Sequence, residues 1–126
     1  MAAGEGFPRA ARVWRPADFE RVFTARWTAS ANGLVMHAAA SQEEPPAARL
    51  GVSVSRRVGG AVERNRWKRR LREAFRRVRS RLPAADYVVV VKARTVPAGA
   101  AGARIVEETL ESLAKRITAR RGFAGE

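Results

Sequence analysis

The chain has 126 residues, 46% of them hydrophobic, which suffices for one compact domain and is too short for two. It carries 25 lysines and arginines against 12 acids, a net charge of +13, and no cysteine, so disulfides and thiolate metal sites are excluded. Such a surplus speaks of partners rather than of fold: it calls for a polyanion, with nucleic acid the usual one and an anionic membrane surface its competitor.

Residues 1–12 mix Gly, Pro and Ala with scattered charge and are expected to form a loose tail before a domain over 13–121; residues 122–126 are expected to be a second tail. Nothing near Met1 reads as a signal peptide, because Glu5 and Pro8 interrupt before any apolar stretch. Tyr87 to Val91, the longest strongly apolar run, is far too short to cross a bilayer, so a cytoplasmic protein is expected.

Pro16 stands where helices favour it, with Asp18 and Glu20 suiting the dipole of the first turn. Phe19, Val22, Phe23 and Trp27 then recur on one helical face. Asn32-Gly33 predicts a hairpin turn between strands at about residues 26–31 and 34–40. Ser41 to Ala48 is a polar loop, and Arg49 to Ser55 reads as a strand. Its Leu50, Val52 and Val54 face one way, while Gly51, Ser53 and Ser55 leave the other face bare. Such small residues admit either close packing of another element or the backbone of a ligand.

After Gly59-Gly60 comes an arginine-rich helix, with Arg64 to Arg81 as its working span. Trp67, Leu71, Ala74, Phe75, Val78 and Leu82 recur at helical spacing and form its core stripe. Asp86 to Lys92 holds an unbroken valine run and should be a central, buried strand. Val96 to Gly102 reads as a Pro/Gly/Ala loop. The final helix places Val106, Leu110, Leu113 and Ile117 on one face, with Glu107, Glu108 and Glu111 ahead of Lys115, Arg116, Arg120 and Arg121. The order implies a single α+β domain in which the basic helix crosses between two strands of a central sheet.

Between Arg56 and Arg81 there are twelve basic residues and two acids, Glu63 and Glu73. Two carboxylates cannot neutralise twelve cations, so a solvated face laced with salt bridges does not explain the run. Like charges at Lys68, Arg72 and Arg76 repel along the helix, and a polyanion relieves them. Arginine forks match clustered phosphates of a folded RNA, while a basic helix also fits the DNA major groove; at this level RNA is favoured and DNA stays open. His37 is the single histidine, Glu107 and Glu111 share a face without a histidine or aspartate, and Glu43 and Glu44 lie in a loop. No acid–base or metal constellation for a protein nuclease is legible.

Leu50-Gly51-Val52-Ser53-Val54-Ser55-Arg56-Arg57-Val58-Gly59, Ala61-Val62 and Arg64-Asn65-Arg66-Trp67-Lys68-Arg69-Arg70-Leu71-Arg72-Glu73-Ala74-Phe75-Arg76 resemble the signature block of the bacterial ribonuclease P protein family. Asp18-Phe19 with Phe23, and Asp86-Tyr87 before the valines, match its flanking landmarks, so the resemblance spans about residues 12 to 117. It implies a fold like the second domain of ribosomal protein S5, with a left-handed βαβ crossover that the general right-handed rule does not foresee. It further implies the protein subunit of an endoribonuclease that removes the 5′ leader from precursor tRNA. In that enzyme the RNA subunit is the catalyst, Mg²⁺ is bound mainly by RNA, and the protein alone is inactive.

By the same resemblance, Arg56, Arg57, Arg64, Asn65, Arg66, Lys68, Arg69, Arg72 and Arg76 would face RNA, and Phe19, Phe23 and His37 would line a cleft for the leader. The expected partners are the RNA subunit and precursor tRNA, with neither DNA nor membrane, and with no metal site or catalytic residue in the protein. A noncatalytic ribosomal-type RNA-binding protein is the alternative. Three residues depart from the pattern: His37 where some members of the family place a tyrosine, Arg26 where a glycine often follows the first helix, and Gly60 where an asparagine is frequent.

Overall fold

A four-stranded mixed sheet carries helices on both faces in a computed structural model that describes residues 8–123. The elements run α1 (Pro16–Ala25), β1 (Trp27–Ala31), β2 (Leu34–Ala40), β3 (Arg49–Val54), α2 (Ala61–Val78), β4 (Ala85–Val91) and α3 (Gly99–Thr118). Short 3₁₀ turns over Arg9–Ala11 and Arg79–Arg81 precede α1 and extend α2. The domain is therefore α+β, as its sequence implies.

Strand order is β1-β2-β4-β3. β1 pairs antiparallel with β2 through the Asn32-Gly33 turn, both of whose residues have positive φ. β2 is antiparallel to β4, and β4 is parallel to β3, so α2 is the crossover of a βαβ unit. Register places Leu34, Met36, Ala38, Leu50, Tyr87, Val89 and Val91 on one face. There they meet Trp67, Leu71, Phe75 and Val78 of α2 and Val106, Leu110, Leu113 and Ile117 of α3 in the main core. Among the described residues the opposite face is covered in part, by α1: Val22 packs with Val13, Ala39 and Val88, and Phe19 lies against them.

Several expected boundaries shift, each for a physical reason. α2 begins at Ala61, one residue after Gly60, which occupies the N-cap without offering a side-chain acceptor. Arg64 thus lies inside the helix, and regular α geometry ends at Val78 rather than Arg81. Trp27 does not continue α1; Arg26 takes left-handed backbone (φ 64°) and ends the helix, and β1 begins at Trp27, which packs edge-on against Phe123.

The segment read as a loop up to Gly102 is helical from Gly99. Gly102 serves close packing, since a Cβ there would lie 2.4 Å from the carbonyl carbon of Pro97. Glu107 and Glu108 consequently fall beyond the first turn of α3, which contains no acid, while Lys115 and Arg116 do lie in the last turn. Packing also reaches past residues 13–121. Ala11 is buried, and Phe123 is 7% exposed against the core. Residues 1–7 and 124–126 of the two expected tails lie outside the described residues.

Candidate nucleic-acid interface

The apolar stripe of α2 points into the sheet, so its helical period turns the basic residues outward. Lys68, Arg69, Arg72 and Arg76 line an open groove of about 330 Å³ together with Asn65, Glu73 and Arg12. Arg12 comes from the segment before α1. Leu50 O accepts a 2.9 Å bond from Val13 N–H, which lays this segment along β3. Five cations therefore face one carboxylate. Glu73 is already engaged: Arg76 donates to it at 2.6 Å and Arg77 at 3.2 Å. The Arg76 bond leads in holding the Glu73 carboxyl below its usual range.

Burial, and then the nearby charge of Arg12, lower the Arg72 pKa. A phosphate entering the groove would meet these guanidinium groups side by side.

The other expected RNA-facing residues lie elsewhere. Arg56 and Arg57 are exposed in the turn after β3, outside the groove lining. Arg66 borders a different recess, with Arg70, Val96 and Pro97, and approaches Glu63 at 3.6 Å. Arg64 is half-buried on the core side, its Nε without a hydrogen-bond partner. Sequence reasoning missed Arg12, because only a contact between distant parts of the chain brings it to α2.

The aromatic cluster lies on the sheet face partly covered by α1. Phe23 is 38% exposed, and its ring meets His37 edge-on at 4.8 Å. Phe19, 6.4 Å from Phe23, instead packs over Gly51, where a Cβ would lie 2.8 Å from Phe19 Cζ. Gly51 thus provides for close packing, whereas Ser53, farther along β3, stays partly exposed on the same face beside Val90. Burial, and secondarily the Lys92 charge, lower the His37 pKa, so its imidazole is mainly neutral at pH 7. Its Nδ1 is buried without a partner.

Beneath the start of α1 lies a charged cluster that the sequence did not reveal. Asp86 is fully buried, and its carboxylate receives two 2.7 Å bonds from Arg49 and one from Arg21. Arg21 also donates to Ala40 O at 3.2 Å, and Asp18 lies 3.8 Å from both arginines. The Asp86 bonds chiefly raise the Arg49 pKa. This network ties α1 to β2, β3 and β4, and so sets where Phe19 and Phe23 stand.

No three His, Asp or Glu side chains converge where they could hold a metal ion among the described residues. Glu107 and Glu111 face Arg77 and Arg81 across the α2–α3 seam, at 3.8 and 3.2 Å. No helix among the described residues is long and apolar enough to cross a membrane.

The ribonuclease P family model matches residues 7–118. The ribonuclease P protein component of Beutenbergia cavernae is 42% identical over 114 residues, covering 86% of this chain and 92% of that one. Its counterpart in Bordetella avium is 38% identical over 91 residues, covering 71% and 76%. Among solved structures, the RNase P protein of Staphylococcus aureus superposes with a TM-score of 0.69 at 29% identity over 86% of this chain and 95% of that one. That of Thermotoga maritima gives 0.67 at 28%, covering 84% and 96%. With its sheet, its basic crossover helix and nearly its whole described length matched in this way, the chain belongs to the ribonuclease P protein family.

Proposed function

We propose that this chain binds the ribonuclease P RNA subunit through the α2 groove and holds the 5′ leader of precursor tRNA beside Phe23 and His37. It thereby assists the catalytic RNA in hydrolysing the phosphodiester bond that frees the mature 5′ end, in the cytoplasm. The observation that carries this reading is the groove itself: Arg12, Lys68, Arg69, Arg72 and Arg76 against one carboxylate already paired with Arg76 and Arg77. Phosphates entering there replace like-charge repulsion with charge-assisted hydrogen bonds and release counterions.

The Phe23 ring, exposed beside a neutral imidazole, offers a stacking surface that tolerates any base, as a reader of varied leaders needs. By the resemblance, the Mg²⁺ would be held mainly by the RNA subunit. The protein's own part is binding and positioning.

The test is reconstitution. The protein with its cognate RNA subunit should cleave precursor tRNA at the mature 5′ end at a lower Mg²⁺ concentration than the RNA alone requires. Protein free of RNA should not cleave. Cleavage by RNA-free protein, or selective copurification with ribosomal RNA and no effect on the reconstituted reaction, would overturn the proposal.

A further inference from the structure

Trp14 is 45% exposed, although it immediately precedes the N-cap of α1, where an apolar residue commonly packs back on the helix. Among the described residues, two guanidinium groups lie over its ring. The Arg9 guanidinium lies 4.5 Å from the indole centroid and that of Arg15 lies 5.0 Å from it. Neither arginine forms an ion pair among the described residues, and each holds its charge against the ring. The two acids bordering the same recess, Asp18 and Glu43, are turned to Arg49 at 3.8 and 3.6 Å. An exposed aromatic surface bracketed by two guanidinium groups thus stands on a segment with no role in the core beyond Ala11 and Val13.

We infer that Trp14, Arg9 and Arg15 form a stacking site for an unpaired nucleobase of the RNA subunit. The indole takes the base, and the guanidinium groups take the flanking phosphates or extend the stack as planar cations. The RNA subunit is the source because Arg12, two residues away on the same strand-like segment, already lines the α2 groove. One folded RNA covering that groove passes Trp14, whereas Phe23 and His37 lie at the other end of α1. This inference rests on the proposed binding of the RNA subunit.

The site has an optical signature. Trp67 is 1% exposed and Trp27 is packed on Phe123, so base stacking on Trp14 is the event that quenches indole emission on binding. Full-length protein titrated with its cognate RNA subunit should lose tryptophan emission, and Trp14→Ala should abolish most of that loss. Trp14→Ala should also weaken RNA binding roughly 5- to 150-fold, the range expected for one stacked base. Its salt dependence should keep the wild-type slope, because no phosphate contact is removed. Trp14→Phe, which keeps a stacking ring, should restore most of the affinity. Circular dichroism and melting temperature should match wild type.

Wild-type affinity in Trp14→Ala, with wild-type protein binding normally, would overturn this site and leave the groove untouched. Failure of the wild-type protein to bind the RNA subunit would overturn both. A quench produced by precursor tRNA rather than the RNA subunit, or a concentration-dependent dimer lost in Trp14→Ala, would assign the indole to a different occupant and sink the inference.

Discussion

Arg49 grips Asp86 with two parallel hydrogen bonds, Nε to Oδ1 and Nη2 to Oδ2, each 2.7 Å long. The pair joins neighbouring residues of parallel strands, for Arg49 and Asp86 are register partners in β3 and β4. Asp86 has no exposed side-chain surface, and Arg21 brings α1 onto the same carboxylate. Removing the negative charge leaves two guanidinium groups crowded in a poorly hydrated place. Asp86→Asn, which keeps the shape, should therefore cost about 3–5 kcal/mol, the usual penalty for breaking a buried pair on one side. Equilibrium unfolding in urea measures this. A loss below about 1 kcal/mol, the worth of a surface pair, would mean that solvent reaches the cluster.

The groove makes a quantitative statement about salt. Arg69→Ala with Arg72→Ala removes two of five groove cations, and each phosphate contact contributes about 0.7–0.9 to the log–log slope of RNA affinity against salt. The slope magnitude should fall by about 1.4–1.8 with far-UV circular dichroism unchanged. Arg64→Ala with Arg66→Ala, whose side chains lie outside the groove, should change it less. Equal effects from both pairs would place the RNA along the whole helix and not in the groove.

Phe19 and Phe23 should separate, although four residues apart on one helix. Phe19→Ala opens a cavity over Gly51, so stability and every binding function should decline together; because Phe19 is only partly buried, the cost should be below the roughly 3–5 kcal/mol of a fully enclosed phenylalanine. Phe23→Ala removes an exposed ring. It should weaken holoenzyme binding to leader-bearing precursor tRNA by about 1–3 kcal/mol, with melting temperature, RNA-subunit assembly and mature-tRNA binding little changed. A leader-selective defect in Phe19→Ala rather than Phe23→Ala would reverse the two roles.

Much of this arrangement was legible because its cause is local. Asn32-Gly33 marks the hairpin, and β2 spans the expected residues 34–40 because the turn sets its start. The core stripe of α2 follows from helical period alone. What was not legible depends on partners distant in the chain. Nothing near Phe19 or Phe23 says which is covered; Gly51, on β3, decides it. Gly99 and Gly102 read as loop residues until Pro97 is seen against the helix. Arg12 joins the cations of the α2 groove only once its segment lies beside β3, and Arg49 meets Asp86 only through strand pairing.

His37 supplies a pH dependence whose sign is determined. Its pKa in the folded protein is lowered from 6.5, so the unfolded chain binds more protons as pH falls. The stability from keeping the ring neutral is fully present above about pH 6.5 and is lost as pH drops through that value toward the folded pKa. Glu73 and Glu111 have pKa values lowered from 4.5, so their contributions change only at more acidic pH. Between pH 7.5 and 5.5 the melting temperature of the wild type should fall more than that of His37→Gln. Parallel curves would mean that the imidazole is as well hydrated folded as unfolded.

The strand order has a consequence for the protein as it is being made. β4 is the last of the described strands in chain order, yet it lies between β2 and β3 and supplies neighbours to both. Until residue 91 has left the ribosome, β3 has no partner strand on that side and β2 has only β1. The sheet therefore closes late, in a step that joins distant segments and carries their loop-closure cost. Meanwhile the strongly positive α2 sequence is already out, next to a ribosome built of RNA. Chains stalled before β4 should hold a hairpin and a charged, amphipathic segment without a core. Slow decoding across 79–91 would lengthen the time that the apolar stripe of α2 spends uncovered, exposing the nascent chain to aggregation and to capture by chaperones.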